Sequence, residues 1–184
     1  MMDGLILAFV FALGWVPFYI YRAEAVEKAL PYYSSSERRW VALSPAVLAA
    51  HVALACLLVS IADPPRWRAV LGAALFTGGV AFWFWGRAQI GPLRVTRLPD
   101  QPPPRLRHDG AFGLVRNPLY LGYLAAAAAP VIVAARPILL ATFAACFVTL
   151  AVRAAQEERR LHDQLGPPYA EYCRTVKRLI PFVW

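Results

Sequence analysis

Five long stretches of the chain carry no charged side chain: Gly4 to Tyr21, Trp40 to Ala62, Ala69 to Gly86, Asn117 to Ala135 and Pro137 to Val152. None alternates apolar and polar residues as a barrel strand would, and all are rich in Ala and Leu, which predicts helices. At about 1.5 Å per residue the first four reach roughly 27 to 35 Å, enough to cross a hydrocarbon core of about 30 Å. The fifth is shorter and spans if Arg153 lays its aliphatic stem along the bilayer and leaves its head at the interface. No polar face is left over, as the helices of a soluble bundle require. The pattern therefore predicts an all-α integral membrane protein with five transmembrane helices. Ser44-Pro45 and Asn117-Pro118 each place a capping residue before a proline, so helices are expected to start there.

Composition agrees with this class. Of 184 residues 59% are hydrophobic and 16% charged, and the mean hydropathy is +0.48, too apolar for an ordinary soluble domain. One membrane unit over 1–184 is expected, with three spans in 1–86 and the remaining two in 87–184. Lys and Arg divide sixteen against three between alternate sides of the five spans. By the positive-inside rule this puts the N-terminus outside and the C-terminus in the cytoplasm. The opening Met-Met-Asp lacks a basic n-region, so the first span is read as an anchor rather than a signal peptide. The net charge of +8 lies almost wholly in the expected cytoplasmic loops, where topology and anionic membrane lipids account for it without nucleic acid. Cys56, Cys146 and Cys173 form neither a CxxC nor a Cys/His cluster, so no metal site is expected. His51, in mid-span, is read as a neutral histidine bonded to a neighbouring helix. Phe82 to Trp85 is read as an aromatic belt, with gripping a lipid tail as the alternative.

Two regions depart from the pattern of apolar helix and short loop, both on the expected cytoplasmic side. Residues 87–117 hold five of the sixteen prolines and are expected to be irregular and to lie over the membrane face. From Arg153 onward the fifth helix is expected to run past the interface to about Leu165. It should break at Gly-Pro-Pro, then give way to an amphipathic helix around Tyr169 to Leu179. Arg153 and Glu157 are four apart and share a helix face. That spacing describes either a surface ion pair or a polar site at the membrane boundary. His108 and His162 are expected to be solvated.

The stretch "GAFGLVRNPLYLG" from Gly110, "EERRL" from Glu157 and "LGPPYAEYCRTVKRLIP" from Leu165 together resemble the isoprenylcysteine carboxyl methyltransferase family. The related phospholipid N-methyltransferases share its C-terminal architecture. The resemblance covers roughly residues 85 to 184. It implies an S-adenosylmethionine-dependent membrane methyltransferase whose C-terminal helix packs over the cofactor site. Carried over residue by residue, Leu106, Arg107, Phe112, Asn117, Pro118, Leu119 and Tyr120 would line that site. Glu157 or Glu158 would meet the methionyl ammonium or the substrate, and Arg153 matches an arginine associated with the substrate. Tyr169 and Tyr172 would pack the terminal helix against the site. Two positions depart from the family pattern: Asn117 stands where histidine is usual and cannot take up a proton near neutral pH, and Phe112 keeps an aromatic surface without a hydroxyl.

The implied acceptor is a lipophilic small molecule or lipid-modified substrate. An isoprenylcysteine carboxylate is the namesake, and phospholipid amines, lipidic phenols and small apolar thiols stay open. Two other classes also stay open, a sterol-type NADPH reductase and a non-enzymatic membrane protein. Oligomeric state is not legible.

Overall fold

The computed structural model describes residues 2–29, 33–90, 106–181 and 183. It is helical: α1 (Met2–Ala29), α2 (Ser35–Ser60), α3 (Arg66–Ile90), the single turn α4 (Ala111–Leu114), α5 (Pro118–Ala134), α6 (Pro137–Leu165) and α7 (Pro167–Thr175). Three of these, α2, α3 and α6, are long and apolar enough to cross a membrane, and Gly4–Ile20 and Pro118–Ala134 are shorter apolar helices. Of the five expected spans, three are thus met by length. The other two, at 17 residues each, measure about 26 Å. The outer face of the bundle is apolar: Leu5, Phe9, Leu13 and Ile20 of α1, Leu57 of α2, Val70 of α3 and Val148 of α6 are exposed, while His51, Thr149, Arg153 and Glu158 are buried. Apolar outside and polar within is the distribution an integral membrane protein requires.

Packing follows from residue size. Gly72, Gly79 and Gly86 are seven apart and so line one face of α3, and that face meets α5. Gly72 faces Val133, Gly79 faces Gly122 and Ala126, and Gly86 faces Pro118, so the two helices run antiparallel. The approach is close enough that a Cβ on Gly79 would stand 2.7 Å from the Ala126 nitrogen. Phe11, Trp15 and Phe18, spaced four and three apart, turn one face of α1 into the core. There Phe11 meets Phe76 at 4.7 Å and Phe18 meets Trp83 edge-on at 4.8 Å between ring centroids. His51 is bonded to two other helices, Nε2 to the Ala127 carbonyl of α5 at 2.9 Å and Nδ1 to the Thr142 hydroxyl of α6 at 2.7 Å. A neutral imidazole with its proton on Nε2 satisfies both, as expected from the sequence.

Three local expectations need correction. The helix expected to start at Ser44-Pro45 starts ten residues earlier, with Ser34 as its cap and Pro45 inside it. Ser34 and Glu37 form a capping box there, whose two reciprocal bonds satisfy backbone donors at the first turn and start the helix upstream of Pro45. The aromatic run on α3 is divided: Trp83 is core, while Phe84 and Trp85 are exposed. The terminal helix stops at Thr175 rather than Leu179. Beyond it the Lys177 and Arg178 carbonyls accept from the backbone N–H groups of Arg116 (2.8 Å) and Asn117 (3.1 Å), which requires extended chain. Of the proline-rich region, residues 91–105 lie outside the described residues.

The polar ends of α2, α3, α5 and α6 come together on one side of the bundle. Glu37 at the start of α2 binds Arg160 late in α6, Gln89 at the end of α3 binds the Ala111 N–H, and Arg116, just before α5, binds Glu158.

Candidate active site

Glu158 is the centre of a buried ionic cluster. Its Oε1 accepts from Arg116 Nε at 2.9 Å and Asn117 Nδ2 at 2.9 Å, and its Oε2 from Arg116 Nη2 at 3.1 Å and Arg178 Nε at 2.8 Å. Four donors fill the acceptor positions of one carboxylate, whose side chain is 9% exposed. Arg116 also donates through Nη1 to the carbonyls of Cys173 (3.0 Å) and Val176 (2.6 Å) at the end of α7, where a cation suits the helix terminus. Burial works against the Arg116 charge, and the hydrogen-bonded Glu158 carboxylate more than offsets it, so the guanidinium holds its proton more tightly than usual. The cluster thus ties the loop before α5, the end of α6 and the C-terminal tail into one junction. Asn117 occupies the N-cap position of α5 but its side chain makes no cap bond. Its amide goes instead to Glu158 and to the Arg178 carbonyl at 3.2 Å.

Glu157, the adjacent residue, is held differently. Its Oε1 accepts from the Tyr120 hydroxyl at 2.6 Å and from Arg153 Nη2 at 3.0 Å, while Oε2 accepts from no described residue. The side chain is 35% exposed. Arg153 itself is 4% exposed. Its Nη2 reaches Glu157 and, at 3.4 Å, the Tyr33 hydroxyl, yet Nε and Nη1 have no hydrogen-bond partner among the described residues. Gln156 Oε1, one turn along, is likewise buried without a partner. Buried guanidinium donors are rarely left unmade, because each forfeits its hydration. Two free donors on Arg153, a free oxygen on Glu157 and another on Gln156 make an unsatisfied polar set within one turn of α6. That set suits a ligand carrying both an anionic and a cationic group.

The remaining residues singled out by sequence are distributed around these two. Pro118 starts α5 against Gly86, Leu119 packs on the core and Tyr120 is buried. Phe112 is joined through its carbonyl to the Tyr172 hydroxyl at 2.6 Å. Leu106 packs on a small apolar cluster of Tyr169, Tyr172 and Val176, so the two tyrosines do hold α7 down. Burial, then the Glu158 charge, raises the Tyr169 phenol well above its ordinary range, and burial does the same for Tyr172. Arg107 stands apart: it is exposed and bonds Asp109 and the Gln89 carbonyl rather than the Glu157 group. His108 and His162 are exposed. Sequence reasoning missed Tyr33, Glu37, Gln156, Arg160 and Arg178. The advance signals were the Ser-x-x-Glu spacing of Ser34 and Glu37, a capping-box signature, and the place of Arg160 and Arg178 within the C-terminal motifs.

Comparison with known proteins gives a partial match. Over 83 residues the chain is 34% identical to methanethiol S-methyltransferase 1 of Bradyrhizobium diazoefficiens, an alignment covering 45% of this chain and 28% of that protein. The chain therefore matches little more than a quarter of that relative's length. No protein-family profile matches, and no solved structure does.

Proposed function

We propose that this protein is a membrane-embedded methyltransferase that uses S-adenosylmethionine to methylate a lipophilic acceptor at the polar end of its helix bundle, on the cytoplasmic side. The observation that carries the reading is the buried Arg153, with two unpartnered donors beside the half-open Glu157. The partial likeness to a methanethiol S-methyltransferase supports it, as does the family resemblance of the motifs around Asn117, Glu157 and Gly166.

Bound here, S-adenosylmethionine would supply a methyl group on a sulfonium, open to in-line displacement. The residues fit its amino-acid end: Glu157 Oε2 is free to accept from an ammonium, and Tyr120 fixes the rotamer of that carboxylate through its 2.6 Å bond to the other oxygen. Between the two glutamates the geometry favours Glu157 for this role, because all of Glu158's acceptor positions are taken within the protein. Arg153 offers paired N–H donors to an anion, which a guanidinium orients bidentately. The acceptor is thereby read as an anion at its reacting end, a carboxylate or a thiolate, rather than a phospholipid amine, whose protons would meet further donors. Asn117 cannot act as a base near neutral pH, and an acceptor that arrives as an anion needs none. The chain's own contribution is then alignment and the exclusion of water by α7 and its two buried tyrosines.

The test is calorimetric titration of the detergent-solubilised protein with S-adenosylhomocysteine and, separately, NADPH, together with a Glu157→Ala variant. Saturable S-adenosylhomocysteine binding that Glu157→Ala weakens supports the reading. Methyl transfer from labelled donor to N-acetyl-S-farnesyl-cysteine, methanethiol or phosphatidylethanolamine then sorts the acceptor. NADPH binding alone would move the assignment to a reductase, and binding of neither ligand by folded protein would overturn it.

A further inference from the structure

The unpartnered donors of Arg153 raise a question of geometry. Arg153 and Glu157 lie on one helix face, and an arginine so placed can close a two-pronged pair with the carboxylate, the frequent arrangement of such pairs. Instead one nitrogen touches one oxygen, and Nε and Nη1 find no hydrogen-bond partner among the described residues. Some group must hold the guanidinium in that pose, and the described contact on its other side is Tyr33. The Arg153 guanidinium carbon lies 5.1 Å from the centroid of the Tyr33 ring, and Nη2 reaches the Tyr33 hydroxyl at 3.4 Å.

Tyr33 is itself immobilised. It is buried, at 5% exposure. Its carbonyl accepts from Arg38 Nε at 2.8 Å, and Ser34, next in the chain, caps α2. A second guanidinium, Arg160, also lies over the ring, 3.8 Å from the centroid. Glu37 grips Arg160 with two bonds, Nε to Oε1 at 2.9 Å and Nη2 to Oε2 at 2.7 Å. Glu37, Arg160, Tyr33 and Arg153 thus form a continuous stack from the first turn of α2 to the polar set on α6. A corner that only needed sealing would be served by any apolar residue. A ring contacted by two cations, with its hydroxyl accepting from Arg153, is suited to orienting charge.

We infer that Tyr33 is a positioning residue: it holds the Arg153 guanidinium so that Nε and Nη1 face the methyl acceptor instead of collapsing onto Glu157. The inference rests on the methyltransferase reading for its consequence and on geometry for its cause. It extends the site into the N-terminal part of the chain, outside all of the motifs that carry the family resemblance.

Two readouts test it. The first does not depend on activity: in a side-chain nitrogen–proton NMR spectrum of detergent-solubilised protein, the Arg153 Nε–H signal, assigned by its loss in Arg153→Lys, should carry a ring-current displacement. That displacement should disappear in Tyr33→Leu and persist in Tyr33→Phe. The second is kinetic, with whichever of N-acetyl-S-farnesyl-cysteine, methanethiol or phosphatidylethanolamine the wild type methylates. Tyr33→Leu should lower kcat/KM for the acceptor by about 10- to 100-fold, the scale of an ångström-sized misplacement, with the S-adenosylhomocysteine Kd within about threefold. Tyr33→Phe should recover most of that loss, retaining the ring and giving up one long hydrogen bond. If Tyr33→Leu does not fold, Arg160→Gln, which removes the second guanidinium over the ring, should shift the same NMR signal and lower kcat/KM in the same direction. An unmoved Arg153 signal in Tyr33→Leu, or in Arg160→Gln where that variant stands in, overturns the inference. So does a loss of S-adenosylhomocysteine binding stoichiometry parallel to the loss of rate, since that marks unfolding rather than misplacement. A wild type that neither binds S-adenosylhomocysteine nor transfers a methyl group overturns the methyltransferase reading instead, and leaves the NMR result standing on its own.

Discussion

Glu158 can be replaced by glutamine with almost no change of shape, and the consequence follows from its four bonds. Glutamine keeps one oxygen, which accepts from two donors, and turns an NH2 toward two others. If the oxygen faces Arg116 Nε and Asn117, the new NH2 confronts Arg116 Nη2 and Arg178 Nε, both donors. Turned the other way, it confronts Arg116 Nε and the Asn117 amide. Either orientation leaves two donors without a partner and the Arg116 charge without its counter-ion. Breaking a buried pair by removing one partner costs about 3–5 kcal/mol. Arg116 keeps its bonds to the Cys173 and Val176 carbonyls, and the Arg178 side chain is 29% exposed, so the lower end, about 3 kcal/mol, applies. For a chain of this size that corresponds to a fall in melting temperature of about 6–12 °C. The loss should be local first. The tail is joined to residues 115–117 by the backbone bonds at Lys177 and Arg178 and by this cluster, so trypsin should cut after Arg174, Lys177 or Arg178 well before the bundle unfolds. Thermal melting followed by tryptophan fluorescence, together with a trypsin time course, measures both effects. A Glu158→Gln protein that melts with the wild type and keeps its tail intact under trypsin would refute the view that this carboxylate is the anchor.

Three further outcomes follow from the same structure. Because the Tyr169 and Tyr172 phenols are raised above their ordinary value in the folded protein, the stability they confer should be complete below about pH 10 and decline as pH rises beyond it. Tail release by trypsin at pH 9, 10 and 11 checks this, and a tail that becomes looser toward acid through these groups would have the wrong sign. His51→Leu removes two bonds between helices at roughly 0.6–1.7 kcal/mol each, so the melting temperature should fall while S-adenosylhomocysteine affinity stays put; a change in affinity would bring His51 into the site. Gly79→Val forces a side chain into the Ala126 and Gly122 backbone, which cannot yield, and should destabilise by about 3 kcal/mol or more. Gly78→Val, which meets nothing within 4 Å, is the matched control, and equal melting of the two variants would refute the close approach of α3 and α5.

What was legible in the sequence was what local rules control. The apolar runs marked the helices, Gly166-Pro167-Pro168 marked the break before α7, and the i,i+4 spacing of Arg153 and Glu157 placed them together. The start of α2 was misread because Ser44-Pro45 carries a local start signal inside the apolar run, whereas the helix begins in the polar turn that Ser34 and Glu37 cap. Neither the Glu158 cluster nor the Tyr33 stack was legible, since their partners are separated by 20 to 42 and by 120 residues and meet only when the helices pack. No local pattern encodes that.

The adjacent pair Glu157 and Glu158 shows how far the two levels differ. In sequence they are equivalent, and the family resemblance leaves the choice between them open. On a helix successive side chains are about 100° apart, so two neighbouring carboxylates cannot face the same partners. Glu158 turns toward Arg116 and the tail, and Glu157 toward Tyr120, Arg153 and solvent. The first fixes the rotation of α6 about its own axis, because four donors from two separate segments, the loop before α5 and the C-terminal tail, converge on it. With that rotation fixed, Glu157 and Arg153 have no freedom to roll away from the polar end of the bundle. The buried glutamate thereby acts on the open one through the helix they share. Glu158→Gln is accordingly expected to weaken S-adenosylhomocysteine binding indirectly, and to do so in step with release of the tail. Weakening of binding with the tail still docked would instead point to direct contact between Glu158 and the ligand.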